Sequence, residues 1–388
     1  MKDSTMEKIN RAASYVLVAV VAVAATLFAT RYGKTQETSK LDLVEQMVKE
    51  RYIAIEDVDM DAAEDAAAAA MVSALGDRWS HYFDAETYAS IEENMNNAYV
   101  GVGITITQEE NGLRILEVQS GGPAQEAGLQ AEDLITEIDD QSVAGMTTTQ
   151  AKNLVRGEAG TQVRMSILRE GRTLEFTLTR AEMKTVVASG KMLNETVGLV
   201  TIENFDSRCA EETIAAIEDL MGQGAERLIF DVRNNPGGYA SELVKVLDYL
   251  LPEGDLFRTV DYKGNERVDT SDANCLNVPM AVLVNGDSYS AAEFFAAALQ
   301  EYEAATVVGS QTCGKGYFQN TFKLSDGSAL SLSVGKYFTP KGKNLAGVGI
   351  TPDIVVDVDE ETGAKIAANQ IPPEDDPQLQ AALEEIMK

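Results

Sequence analysis

Ser290 lies in the stretch Gly286-Asp-Ser-Tyr-Ser290-Ala-Ala-Glu293, and Lys315 follows in Thr312-Cys-Gly-Lys315-Gly-Tyr-Phe-Gln319. A serine hydroxyl becomes a nucleophile when a neighbouring base takes its proton. The 388-residue chain has one histidine, His81, remote in sequence from any serine motif. A neutral lysine is therefore the natural base in place of the imidazole of a Ser-His-Asp hydrolase. Lysine loses its proton near neutral pH only where burial or nearby cations lower its pKa. Gly314 and Gly316 allow the backbone to bring a buried amine close to Ser290. Gln319 can hold that amine by a neutral hydrogen bond, where a carboxylate would restore its charge.

Each of these residues also has a plainer reading. Ser290 and Glu293 ahead of Phe294 and Phe295 form a capping box that opens a helix. Gly-Lys-Gly is equally a solvated turn before a strand at 317–322, and Gln319 a polar residue on that strand. For Ser290 the two readings are compatible, because a helix N-terminus is electropositive and the N–H of Ala291 can face a developing oxyanion. The run at 280–285 reads as a buried strand, which places Ser290 just past a strand's C-terminal end, where open α/β sheets carry their sites. A second apolar strand at 227–232 leads into Asn234-Asn-Pro-Gly237-Gly238, a turn whose glycines permit close backbone approach.

Upstream, Tyr99-Val100-Gly101-Val102-Gly103-Ile104 is a glycine-spaced loop leading into an alternating strand. Strands at 113–118 and 133–138, a helix over 148–157, and strands at 162–169 and 172–179 follow. This order resembles a PDZ domain of the circularly arranged bacterial kind. The resemblance implies an extended peptide added as a strand, its terminal carboxylate held by backbone N–H groups of the Tyr99–Ile104 segment.

The dyad motifs resemble those of the carboxyl-terminal processing, or tail-specific, serine peptidases. So do Asp231-Val-Arg-Asn-Asn-Pro-Gly-Gly238, Lys336-Tyr-Phe-Thr-Pro-Lys-Gly342 and Gly347-Val-Gly-Ile-Thr-Pro-Asp353. The resemblance runs from about residue 40 to the C-terminus. It implies Ser290 as nucleophile, Lys315 as base, Gln319 as its support, and an oxyanion hole from the N–H of Gly237 or Gly238 with that of Ala291. It implies an α/β serine protease core of crotonase/ClpP-like type, a PDZ domain, and no cofactor. Two departures are Tyr289 between the two serines and Cys313 where an aromatic usually precedes Gly-Lys-Gly. Neither removes a catalytic group. The segment at 76–84 matches a turn of the family, which makes His81 a surface or packing residue.

Residues 12–30 carry no charge and are bounded by Arg11 and Arg31, long enough to span a hydrocarbon core. They form either an uncleaved anchor or a signal peptide, and the apolar run through Leu27 and Phe28 favours the anchor. The expected organisation is a stub and anchor at 1–31, a helical region at 32–94, a PDZ domain at 95–181, a Ser-Lys protease core at 182–359, and a linker and helix at 360–388. In relatives such terminal helices help build dimers, which makes a homodimer an expectation here. Three cysteines are too few for a disulfide framework, and no Cys/His cluster points to a metal. The formal net charge of −30 excludes nucleic acid as a partner and suits an ectodomain standing off an anionic membrane.

The chain thus reads as a multidomain α/β protein: a membrane-anchored, extracytoplasmic serine endopeptidase that cuts peptides or proteins near free C-termini. Two rivals are a PDZ-based substrate-binding adaptor without turnover and a PDZ-bearing protease with a histidine base. The intact Ser290, Lys315 and Gln319 weigh against the first, and the position of His81 against the second.

Overall fold

The computed structural model describes Val23 and residues 39–388. Apart from Val23, the expected membrane segment at 12–30 lies outside the described residues, and among these no helix is long and apolar enough to cross a membrane. The chain divides into two compact units, one ending at Glu64 and one running from Asp65 to Lys388. In the first, α1 (Lys40–Arg51) is opened by a complete capping box between Ser39 and Asp42. Helix α2 (Met60–Ser73), whose first five residues close this unit and whose remainder opens the second, is alanine-rich and begins on an Asp59 side chain that accepts from the Ala62 N–H.

The second unit continues through β1 (His81–Phe83), α3 (Ala85–Met95) and β2 (Ala98–Gly101) into a small β-rich domain. That domain holds β3 (Ile104–Glu109), β4 (Gly112–Val118), α4 (Pro123–Ala127), β5 (Leu134–Ile138), β6 (Gln141–Ser142), α5 (Thr148–Val155), β7 (Gln162–Arg169) and β8 (Arg172–Thr179). Its antiparallel sheet runs β3-β4-β5-β7-β8, so β3 is an edge strand. Alternating apolar residues drive it: Leu113, Ile115, Ile135, Ile138, Met165 and Ile167 are fully buried in one core with Ala151 and Val155 of α5. Strand β9 (Ala181–Lys184) then pairs antiparallel with β2, so the two ends of the domain leave it side by side.

The remainder is the α/β core: β10 (Ala188–Met192), β11 (Val197–Ile202), α6 (Cys209–Gly222), β12 (Arg227–Asp231), α7 (Ala240–Leu250), β13 (Gly254–Asp261), β14 (Glu266–Ser271), β15 (Met280–Val284), α8 (Ala291–Glu301), β16 (Ala305–Gly309), β17 (Tyr317–Lys323), β18 (Ala329–Phe338), β19 (Ile354–Val355), α9 (Glu360–Ala367) and α10 (Pro377–Ile386). One sheet runs β10-β11-β12-β15-β16-β19, parallel from β11 onward. Its central strands β12, β15 and β16 are apolar on both faces because both faces are covered. Leu228, Phe230, Val282 and Val284 pack with α6, α7 and α8, while Ile229, Ala281, Leu283 and Val308 meet Leu379, Ala382 and Ile386 of α10. The terminal helix, expected to follow a linker and to serve self-association, thus spends its apolar face on its own sheet. A second, antiparallel sheet of β1, β18, β13 and β14, with β17 on β18, forms the other wall of the site.

Candidate active site

Three loops at the carboxyl ends of the adjacent parallel strands β11, β12 and β15 meet in one place, as open α/β sheets favour. The β12 loop and the β15 loop are stitched together. Asn234 N–H donates to Asn285 Oδ1 at 2.9 Å, Asn285 Nδ2 returns to Asn234 Oδ1 at 2.8 Å, and Ser288 Oγ donates to the Val232 carbonyl at 2.6 Å. The Tyr289 N–H donates to the Asn235 carbonyl at 3.1 Å. Ser290 is consequently held at φ 58°, ψ −125°, a conformation unfavourable for a side chain with a Cβ, at the mouth of α8.

The expected capping box is present in position but not in its ordinary use. Glu293 accepts from the Ser290 N–H at 3.1 Å and the Ser290 side chain faces the Glu293 backbone, but the Glu293 N–H is spent on the Ser290 carbonyl at 2.9 Å, so the Ser290 hydroxyl makes no hydrogen bond among the described residues and is left for other work. Glu293 is fully buried and gathers three further donors: Thr312 Oγ1 at 2.6 Å, Gly314 N–H at 2.7 Å and Lys315 N–H at 2.8 Å. Burial pushes its carboxyl pKa up and these hydrogen bonds oppose the rise. One carboxylate oxygen, Oε2, therefore holds the backbones of Ser290 and Lys315 together.

The backbone beside Lys315 is closely packed. A Cβ on Gly316 would stand 2.4 Å from the Ala346 nitrogen, so glycine is required there. The Lys315 amine lies 4.7 Å from the centre of the Trp79 ring and 5.9 Å from that of Tyr289. Burial lowers its pKa from the ordinary lysine value, with Cys313, Glu293 and Asp77 pulling it back up.

The glycine turn after β12 is not interchangeable along its length. A Cβ on Gly237 would fall 2.7 Å from the Ser290 Cβ, and one on Gly238 would fall 2.3 Å from the Phe205 carbonyl carbon. The Gly237 N–H is occupied, donating to buried Asn235 Oδ1 at 2.8 Å. Phe205 bridges this loop through the Gly237 carbonyl and the Tyr239 N–H, which leaves the Gly238 N–H pointing away from it and without an acceptor among the described residues. The Ala291 N–H, at the first position of α8, is likewise unspent. Of the two glycines named from the sequence, Gly238 has the free donor.

Ser290, Lys315, Gln319, Gly237 and Gly238 all line one cleft of about 1150 Å³, roofed by α3 and walled by β17, β18 and the start of α7. The match of the peptidase family S41 profile covers residues 196–356 and that of a PDZ domain covers residues 114–169. The chain is 33% identical over 323 residues to a carboxyl-terminal-processing protease of Synechocystis, covering 81% of this chain and 74% of that one. It is 30% identical over 351 residues to the carboxy-terminal processing protease CtpA of Bacillus subtilis, covering 87% and 75%. The chain belongs to peptidase family S41, the carboxy-terminal processing serine proteases. A solved Bacteroides fragilis structure provisionally classed as an S41 protease shares the fold, at 17% identity and a TM-score of 0.51 over 89% of this chain and 97% of that one.

Within this S41 protease, Gln319 departs from its expected contact. Its amide donates to Ser333 Oγ at 3.0 Å and to the Tyr317 carbonyl at 3.1 Å, and no hydrogen bond links it to Lys315. A bulge in the β17–β18 ladder between Phe318 and Gln319 sets Gln319 opposite Ser333. Nor does Lys315 hydrogen-bond Ser290; its amine rests on the two aromatic rings. His81 is exposed, on β1, with its ring 5.8 Å from that of Phe83. The sequence reading passed over Trp79 as part of the site. It lies 236 positions before Lys315, and the long-range pairing of β1 with β18, with Ser80 Oγ accepting from the Ser333 N–H at 3.0 Å, brings its turn to Lys315.

The segment expected to hold a peptide carboxylate is divided. Tyr99, Val100 and Gly101 belong to β2, paired with β9, and the Val100 N–H donates to Glu93 at 3.3 Å. Val102 and Gly103 form the turn itself, with φ +77° at Gly103 and with N–H groups that meet no acceptor among the described residues. Ile104 opens the edge strand β3, beside α5. The unspent donors are therefore those of Val102 and Gly103, not of the preceding strand.

Proposed function

We propose that this protein is an extracytoplasmic serine endopeptidase, anchored by residues 12–30, that captures free peptide C-termini in its PDZ domain and cuts nearby with a Ser290–Lys315 dyad. The relatives are named for carboxy-terminal processing, and that site of action is carried to this chain as part of the proposal. Ser290 Oγ bonds to the scissile carbonyl carbon as its proton passes to Lys315 Nζ. Collapse of the intermediate expels the amine, which takes that proton, and water activated by the same lysine then hydrolyses the acyl-enzyme. The Gly238 and Ala291 N–H groups hold the oxyanion. The observation that carries the reading is an unengaged serine hydroxyl and a desolvated lysine lining one cleft, their backbones joined by the same carboxylate oxygen.

The docking of Lys315 on Trp79 and Tyr289, with Gln319 held by Ser333, supports a resting arrangement. For turnover the amine turns to Ser290 and the Gln319 amide leaves Ser333 to support it. The Val102–Gly103 turn and the β3 edge beside α5 would receive the substrate tail as an added strand. Cleavage of a tailed reporter protein tests the dyad. Ser290→Ala and Lys315→Ala should each lose at least about 10³-fold in kcat/KM because the two groups act as a unit, while both proteins remain folded and bind the tail. Near-normal cleavage by Lys315→Ala would overturn the dyad. Tail binding with no cleavage by the unaltered protein would favour an adaptor.

A further inference from the structure

Asp206 lies on the loop after β11, beside the glycine turn, and lines the cleft. A Cβ on Gly238 would stand 2.6 Å from the Asp206 nitrogen, so the Asp206 backbone packs against the glycine turn. Its carboxylate is half-buried, and Oδ1 is buried with no hydrogen-bond partner. The cleft's two other carboxylates are compensated from within the protein. Glu92 pairs with Lys323 at 3.1 Å, and Asp269 with Arg267 at 2.6 Å. Asp206 forms no ion pair among the described residues. The titratable groups whose charges it meets are the Cys209 thiol of α6 and the Tyr239 phenol, with Tyr88 and Glu92 of α3 facing that phenol. None is a cation, and burial pushes the Asp206 carboxyl up to about 7.

A half-buried carboxylate without a donor or cation costs free energy in the resting protein, and such a cost persists where a ligand supplies the missing partner. We infer that Asp206 is a specificity-determining residue that receives the cationic side chain of a lysine or arginine near the scissile bond of a peptide substrate. The position explains why a cation suits it better than a neutral donor. An uncompensated negative charge in the cleft that holds Ser290 opposes an oxyanion forming there, and a substrate cation neutralises it. A basic side chain should thus raise kcat as well as lower KM. This assignment rests on the Ser290–Lys315 reading of the cleft.

The test is a set of otherwise identical peptides carrying one lysine or one norleucine at each of four positions on either side of the scissile bond, cleaved by the full chain. At one position the lysine peptide should be favoured by about tenfold or more in kcat/KM, a gain of the size expected for one desolvated charge pair. In Asp206→Asn that ratio should fall to about one, and in Asp206→Glu it should be partly kept. With the unaltered protein the same ratio should fall as pH drops from 8 to 6, since the carboxyl takes up a proton; dividing by the norleucine rate removes the titration of Lys315 from the comparison. A ratio near one at every position, or a lysine preference that survives both Asp206→Asn and acidification, overturns the assignment. Ser290→Ala run in parallel separates the two claims, because a failure of the dyad appears there as continued cleavage, whatever the Asp206 profile.

Discussion

Glu293 shows how one residue can be read correctly and still be underestimated. The capping box is in the sequence, yet the same carboxylate also takes Thr312, Gly314 and Lys315 as donors. Two of its four donors, the N–H groups of Ser290 and Lys315, converge on Oε2. Glu293→Gln keeps the shape but must turn an amide nitrogen toward one pair of these donors. Turned toward Oε2's partners, the amide strands the N–H groups of Ser290 and Lys315; turned toward Oε1's, it strands the Gly314 N–H, since the Thr312 hydroxyl can rotate to accept, at about 1–3 kcal/mol for each stranded group. The expected outcome is a folded protein with a lower melting temperature and kcat reduced by roughly 10²-fold or more, with KM little changed, because Ser290 and Lys315 lose their common reference point. An unchanged kcat in a protein of reduced stability would restrict Glu293 to a structural role.

At the scale of elements, the strands of the parallel sheet and the small β-rich domain were legible because their burial pattern is written in consecutive residues. The runs at 228–230 and 280–284 are apolar throughout since both faces of the sheet are covered, and 162–169 alternates because β7 has one buried face. What was not legible depends on partners far along the chain or on backbone direction. Nothing in the consecutive glycines 237 and 238 tells which N–H turns toward a ligand; that is decided by Asn235 and by the bridge to Phe205. The bulge that turns Gln319 to Ser333 arises from a one-residue offset between two strands, and the Trp79 contact from a β1–β18 pairing across some 250 positions. The Gln319 geometry yields a prediction of its own. A non-cleavable peptide that fills only the groove between β3 and α5 should stimulate hydrolysis of a short, separate reporter, if tail binding releases Gln319 toward Lys315. An unchanged reporter rate, with simple competition against tailed substrates, would make the domain a tether.

In the molecule as a whole, the site depends on the far side of the sheet. Buried Arg233, next to the glycine turn, pairs with Asp231 at 2.5 Å and with Asp376, the cap of α10, at 2.9 Å. Helix α10 in turn covers the sheet face opposite α8. Leu379→Ala should cost about 2–5 kcal/mol by leaving a cavity, and Asp376→Ala about 3–5 kcal/mol by stranding part of a buried charge network, both read by urea unfolding of the full chain. If either left the midpoint unchanged but altered the mass of the protein in solution, α10 would be an association element and not a lid.

The central claim, that Lys315 activates Ser290, is tested most directly by the rate at which a fluorophosphonate probe labels the protein between pH 5 and 10, with the adduct located by peptide mass spectrometry. The expected adduct is on Ser290. Its rate should rise with pH through an ionisation below that of an ordinary lysine, because burial depresses the Lys315 pKa and the deprotonated amine is the active form. Lys315→Ala should abolish the labelling and His81→Ala should leave its pH profile unchanged. An adduct at another residue, or Ser290 labelling that proceeds at the same rate and with the same pH profile in Lys315→Ala, would contradict the account.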